Sequence, residues 1–333
     1  LTLELGLGLV QMAEGGQQSA LLRRVSSIRK QLATNTGFVI PPLRVLDNLR
    51  LRAGEYAVLL RGAVIAKGEL LPGHLLAIHP ALGSGEAHHP IDGIPAKDPA
   101  FGMPALWIPQ EVAERARAAG YTVVDAVTAL GTHLSELLQK HAWELLSRQD
   151  TKAILDRVSQ DHPKVVEDLV PKLMPLSTVQ KVFQNLLRER VSIRDLVGIL
   201  EALGEGGVMT KNPILLTEYA RQAVRRMVVE PHLAVDGSLQ AFLTSPPIEQ
   251  SIEGAIEYTE HNSHSNLTPM KAREISAKVE SGLGASTSAV ILTSSSARYF
   301  LRQLLEASHP LVTVLSHNEI PPNVRVVSLG AIG

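Results

Sequence analysis

Lys97-Asp98-Pro99-Ala100-Phe101-Gly102-Met103-Pro104-Ala105-Leu106-Trp107-Ile108 is the stretch on which the reading of this chain turns. It lies in residues 79–108, the longest segment without helical or strand periodicity, rich in Pro, Gly and His. It holds one of five phenylalanines and one of two tryptophans, in a chain only 4% aromatic. Pro99, Gly102 and Pro104 fix its path, so Asp98 and Phe101 can be presented without help from regular structure. A loop of this kind is either a stiff connector or a recognition surface.

Upstream of it, residues 1–10 alternate as a strand with Leu1, Leu3, Leu5, Leu7 and Leu9 on one face. Residues 17–35 read as a helix with an apolar stripe of Leu21, Leu22, Val25, Ile28 and Leu32, stopped by Gly37. Its polar face carries Arg23, Arg24, Arg29 and Lys30, read as a solvated face rather than a phosphate contact. A meander follows, with strands near 43–48, 55–60, 63–69 and 74–78 around the turn signals Arg61-Gly62 and Leu71-Pro72-Gly73.

Downstream come a short helix over 109–120, a strand over 121–124 and a long helix over 126–147. From 150 to 229 strand signals vanish. Asp150, Asp161, Ser177, Ser192 and Asn212 sit at expected N-caps of short helices, which predicts a helical bundle. From 230 the pattern is α/β again. It has a hairpin over Asp236-Gly237, helices near 247–257 and 268–281, and then strand 289–293, helix 295–307 and strands 311–315 and 324–329.

Bulk properties narrow the function. The 333 residues are 45% hydrophobic, with a formal net charge of -1 and a pI near 7.0, so no broad basic face is available for nucleic acid. Cysteine is absent, which removes disulfides, thiolate metal sites and cysteine nucleophiles. No apolar run approaches the ~18–20 residues of a membrane span. The chain starts Leu1-Thr2-Leu3-Glu4 without methionine and is expected to be a piece of a longer protein.

Chemical motifs are weak. Gly204-Glu205-Gly206-Gly207 lacks the lysine of a phosphate loop, and Gly282-Leu283-Gly284 precedes a strand instead of opening a helix. His88-His89 and His261-x-x-His264 lack recognised metal-ligand spacing. His133 and His141, eight apart on the long helix, read as polar positions flanking its apolar stripe. Ser294-Ser295-Ser296 at a helix start could bind an anion or simply cap the helix. With Ser316-His317-Asn318-Glu319 it is the best case for an enzyme, an anion- or small-molecule-binding one. No nucleophile, base and orienter can be placed together, so no catalytic, cofactor or metal residue is assigned.

Several separated motifs are specific as an ordered set. They include Leu3-Glu4-Leu5-Gly6, Gly37-Phe38-Val39-Ile40-Pro41-Pro42, Asp98-Pro99-Ala100-Phe101-Gly102 and Gly120-Tyr121-Thr122-Val123-Val124-Asp125. Thr132-His133-Leu134, Leu155-Asp156-Arg157, Val182-Phe183-Gln184-Asn185-Leu186-Leu187 and Ile193-Arg194-Asp195 continue the series. In this order they resemble the cytoplasmic part of the type III export-gate (FHIPEP) family, whose members serve the flagellum and virulence injectisomes. The match runs from about Leu3 to about Val327, and its wording departs from the family's at 7–10 and 83–94.

The resemblance implies a multi-subdomain α/β fold. Its parts are a discontinuous first α/β subdomain (1–78 plus 126–149), a second inserted in it (79–125), a helical subdomain (150–229) and a C-terminal α/β subdomain (230–333). It implies a non-enzymatic docking platform without cofactor. The whole protein would sit in the bacterial inner membrane, with this part on the cytoplasmic side and assembled as a nonameric ring. The implied partners are flagellar export chaperones with their substrates, other export-gate components and the export-ATPase complex. The alternative is the same role in a virulence injectisome. The family's chaperone-docking residues fall on Asp98, Phe101 and Thr132. Phe101 would give aromatic contact area, Asp98 a charge-assisted hydrogen bond and Thr132 a neutral one.

Overall fold

Leu3 and Leu5 alternate with Thr2 and Glu4, which gives β1 (Thr2–Leu5) one fully buried face. The computed structural model describes residues 1–15, 19–79, 91–284, 286 and 288–333, which form two units, Leu1–Leu145 and Leu146–Gly333. The strand expected over 1–10 stops at Leu5, and Leu7–Met12 coils as a 3-10 helix. The cause is close backbone approach: the amides of Gly6 and Gly8 donate to Glu55 O and Ala53 O at 2.8 and 2.9 Å. A Cβ on Gly6 would lie 2.0 Å from Arg52 O.

Helix α1 (Ala20–Thr36) begins at Ser19, whose hydroxyl accepts from Leu22 N, and ends at Gly37 in the left-handed region. Its stripe of Leu21, Val25, Ile28 and Leu32 is buried as read. The first sheet has the order β2-β1-β3-β4, with β2 (Arg44–Asp47), β3 (Glu55–Leu60) and β4 (Ala63–Glu69). It is not a plain meander, because β2 pairs parallel to β1 while β3 pairs antiparallel.

The last strand expected in that meander, β5 (Leu75–Ile78), leaves for a second, antiparallel sheet. Its order is β6-β7-β5-β8, with β6 (Ile94–Lys97), β7 (Pro104–Ile108) and β8 (Thr122–Asp125). The segment expected to be irregular is therefore a hairpin, and Asp98 to Met103 is its loop. The strand signal was hidden because Ala105, Leu106, Trp107 and Ile108 are all buried, so β7 lacks a period of two.

Helix α2 (Ala113–Ala118) precedes β8, and α3 (Ala126–Lys140) follows it directly, capped by Asp125 accepting from Thr128 N at 2.6 Å. The long helix expected to 147 breaks at His141, and α4 (Ala142–Leu145) is separate. Leu130, Leu134 and Leu137 of α3 join Leu3, Leu5, Tyr56, Leu76 and Trp107 in one core beneath both sheets.

The second unit opens with α5 (Arg148–Asp161), α6 (Pro163–Leu169) and α7 (Leu176–Arg188), then α8 (Leu196–Met209), α9 (Pro213–Ala223) and α10 (Arg225–Val229). Asn212 caps α9 with Pro213 at its first position, as expected. The first cap lies earlier than read, because Ser147 is the N-cap and Asp150 completes its capping box. Asp195, not Ser192, caps α8. Helix α7 buries Val179, Val182, Phe183, Leu186 and Leu187, an apolar stripe at helical spacing.

The remainder is a parallel sheet of order β13-β12-β9-β14. Its strands are β9 (Leu239–Thr244), β12 (Val290–Thr293), β13 (Thr313–Ser316) and β14 (Val326–Ile332). Helices α11 (Pro246–Glu253), α12 (Pro269–Leu283) and α13 (Ser295–Leu305) pack on it. The hairpin expected over Asp236-Gly237 reduces to a single Leu233–Leu239 bridge. A real hairpin, β10 (Ile256–Tyr258) with β11 (Ser263–Ser265), occupies the end of the helix expected to 257. No helix among the described residues is long and apolar enough to cross a membrane.

Candidate docking site

The hairpin loop is closed by its own aspartate. The Asp98 amide donates to Met103 O at 2.8 Å, and Gly102 N donates to Asp98 O at 2.8 Å. The Asp98 carboxylate Oδ2 accepts from Phe101 N at 2.7 Å, the local bond that short acidic side chains make in turns. Gly102 has a φ of +70°, a left-handed conformation that an L side chain would strain. The result is a division of labour: Asp98 is 3% exposed, whereas the Phe101 ring is 55% exposed. The Asp98 carboxylate makes a charge-assisted bond within its own loop.

Beneath the loop lies a pair that the sequence reading missed. The Tyr56 hydroxyl of β3 is 2.6 Å from His133 Nδ1 of α3, and both residues are buried. Burial pushes the Tyr56 phenol far up, and the nearby Asp98 charge adds to this. Burial lowers the His133 pKa, and Asp98 opposes that by favouring the imidazolium. Tyr56 therefore keeps its proton and donates it to Nδ1 of a neutral imidazole, which leaves Nε2 carrying the ring hydrogen.

Asp98 is thus bonded to the Phe101 amide on one side and sits near His133 on the other. Thr132, beside His133 on α3, is half-buried, and its hydroxyl donates to Thr128 O at 3.0 Å. His133 is not the flanking polar position it was read as. The available signal was a tyrosine inside an apolar strand, whose hydroxyl needs a buried partner.

The competing sequence sites are structurally occupied. The start of α13 already holds an anion, an internal one. Glu249 Oε1 accepts from the Thr244 and Thr293 hydroxyls and the Ser294 amide at 2.6, 2.9 and 2.8 Å. Ser294 itself caps Ala297 N. Glu319 is buried, paired with Arg221 and bonded to Ser316 N at 2.6 Å, so the Ser316–Glu319 turn is a capping box.

On α1, Arg29 is fastened to Ile40 O at 2.8 and 3.1 Å, and Arg24 packs where a Cβ on Gly131 would fall. His141 pairs with Glu144 at 2.7 Å, and His264 lies 3.2 Å from Glu257. His88 and His89 lie outside the described residues. Among the described residues no group of three His, Asp or Glu could hold a metal ion.

Comparison with known proteins now bears on this geometry. The family model described as "FHIPEP family" matches residues 1–325. The chain belongs to the FHIPEP family. It is 37% identical over 333 residues to the flagellar biosynthesis protein FlhA of Bacillus subtilis, a match covering 99% of this chain and 49% of the relative. The chain therefore spans about half the length of the curated FHIPEP relatives it matches.

Among solved structures, Chlamydia pneumoniae CdsV superposes with a TM-score of 0.87 at 26% identity, covering all of this chain and 97% of that one. CdsV has also been solved in complex with CdsO. The nonameric EPEC SctV-C gives a TM-score of 0.78 at 22% identity over 99% of this chain and 97% of that one, a likeness of fold.

Proposed function

We propose that this chain is the cytoplasmic docking platform of a flagellar type III export gate. It receives export chaperones carrying their substrates and so orders export. The observation that carries the proposal is the Phe101 ring, 55% exposed on a loop closed by a buried aspartate, in a member of the FHIPEP family. A large ring held in place presents contact area at little entropic cost. Phe101 and Thr132 then form the contact surface. Asp98 acts by holding Phe101 in place.

The flagellar assignment over the injectisome is supported by 37% identity to a flagellar biosynthesis protein, FlhA. The same reading makes the platform non-enzymatic and without cofactor, built from the four subdomains set out above. The whole protein is then anchored in the inner membrane, with this part on the cytoplasmic side. The reading includes self-association into a ring, as SctV-C of the same fold forms a nonamer, and contact with other export components, as CdsV has been solved with CdsO.

The test is Phe101→Ala titrated with flagellar chaperone–substrate complexes by calorimetry. Loss of a central aromatic anchor costs about 2 kcal/mol or more, an affinity drop of roughly thirtyfold. A variant with an unaltered circular dichroism melt and undiminished affinity refutes the site.

A further inference from the structure

Five charges alternate in sign through the second unit, with Arg221, Arg298 and Glu319 buried and Glu189 and Glu218 nearly so. Arg298 of α13 donates from Nε and Nη2 to Glu218 of α9 at 2.7 and 2.5 Å. It also donates from Nη1 and Nη2 to Glu189, just beyond α7, at 2.5 and 3.0 Å. Arg221 of α9 donates to the same Glu189 at 3.0 Å and, through Nε, to Glu319. The order is Glu218, Arg298, Glu189, Arg221, Glu319, so the chain begins and ends on carboxylate.

Neighbouring arginines feel the Glu189 charge and have further partners of their own. Arg188 pairs with Glu306, and Arg302 donates to the carbonyls of His309, Pro310 and Val312. The Glu319 end is closed by the backbone amide of Ser316. The Glu218 end is not closed in this way. It lines a groove of about 350 Å³ whose other walls include Met209, Tyr219, Tyr258, Tyr299 and Phe300. The Glu218 carboxyl is raised above the usual range by burial, which Arg298 only partly offsets. The Glu218 charge also raises the Tyr258 phenol, behind burial and Glu253.

We propose that this groove takes the guanidinium of an arginine side chain presented by a protein partner. A carboxylate ending a buried chain of charges attracts a cation and repels an anion. An apolar occupant would strip water from Glu218 and return nothing. The aromatic rings that line the groove offer cation–π attraction, and a weakly hydrated planar guanidinium packs on an aromatic ring better than an ammonium does. Each Glu218 oxygen accepts one bond from Arg298 and keeps a second lone pair. At the rim, Met209 is 78% exposed and Val208 75%, an apolar margin to which a protein partner can add contacts.

The test follows the Met209 methyl resonance in methyl-labelled protein, assigned with Met209→Leu. The probes are Nα-acetyl-arginine amide and its neutral isostere, Nα-acetyl-citrulline amide. The arginine probe is expected to shift the resonance saturably, half-saturating on the order of 1–10 mM, and citrulline at least about fivefold more weakly. Tyr258→Ala and Tyr219→Ala leave the charge chain intact and are expected to weaken the arginine probe about threefold each. Glu218→Gln, if it folds, is expected to remove the preference for arginine over citrulline. Equal response to both probes, no saturable shift up to about 100 mM, or unchanged binding in both tyrosine variants overturns the proposal.

Discussion

Replacing Asp98 tests whether this residue works through Phe101 or meets a partner itself. Its carboxylate is buried and accepts the Phe101 amide at 2.7 Å. A charged acceptor on a partly buried amide contributes about 1.5–3 kcal/mol, so Asp98→Ala should destabilise the first unit by that amount. Asp98→Asn keeps a carbonyl acceptor without the charge and should cost only about 0.5–1.5 kcal/mol. Both tryptophans, Trp107 and Trp143, lie in the first unit, so urea unfolding followed by tryptophan fluorescence reads this unit.

A second readout comes from His133. Burial lowers its pKa and the Asp98 charge opposes that, so both substitutions should move the His133 titration further down. Ring resonances followed against pH give the midpoint. If Asp98 only positions Phe101, chaperone affinity should fall in the order parent, asparagine, alanine, following loop stability. The reasoning fails if both variants stay within about 0.3 kcal/mol of the parent while His133 titrates unchanged.

The second unit and the pH response give further predictions. Arg221→Met leaves Glu189 and Glu319 buried without their shared cation. It should cost about 3–5 kcal/mol in urea unfolding followed by circular dichroism, part of it recovered by adding Glu319→Gln. Glu249→Ala strands the Thr293 hydroxyl and the Ser294 amide at the start of α13, leaves Thr244 only its longer bond to Leu292 O, and should cost about 2–4 kcal/mol. Sulfate should then raise the melting temperature of this variant more than that of the parent, and an equal rise would argue against a vacated anion site.

Acid should weaken both units. His133 and His232 have pKa values lowered by burial from 6.5, so the unfolded chain takes up their protons first. Their contribution is complete above about pH 6.5 and is lost as pH falls through the lower folded values. A flat unfolding free energy between about pH 7.5 and 5.5 would contradict this.

What could be read from the sequence followed how each element is stabilised. Helix α1 was legible because Leu21, Val25, Ile28 and Leu32 repeat at helical spacing and Gly37 stops them. Asn212-Pro213 marked the start of α9 for the same local reason. The failures were non-local. Nothing near Leu75–Ile78 says that β5 leaves its neighbours for another sheet, because strand partners are chosen by burial across the core. The strand at Pro104–Ile108 went unread because it is buried on both faces.

The site shows the same division more sharply. Asp98 and Phe101 could be named together from their motif, but their spacing carries no information about which one is buried. An aspartate three residues before an amide can cap a turn or face solvent, and the two differ only in what covers it. Here a tyrosine–histidine pair from β3 and α3 lies close to it, and neither residue is near it in sequence. What a carboxylate at 3% exposure needs is a donor, and the Phe101 amide supplies it. Phe101 can therefore stay exposed without the loop being loose, which is the condition an aromatic docking residue has to meet.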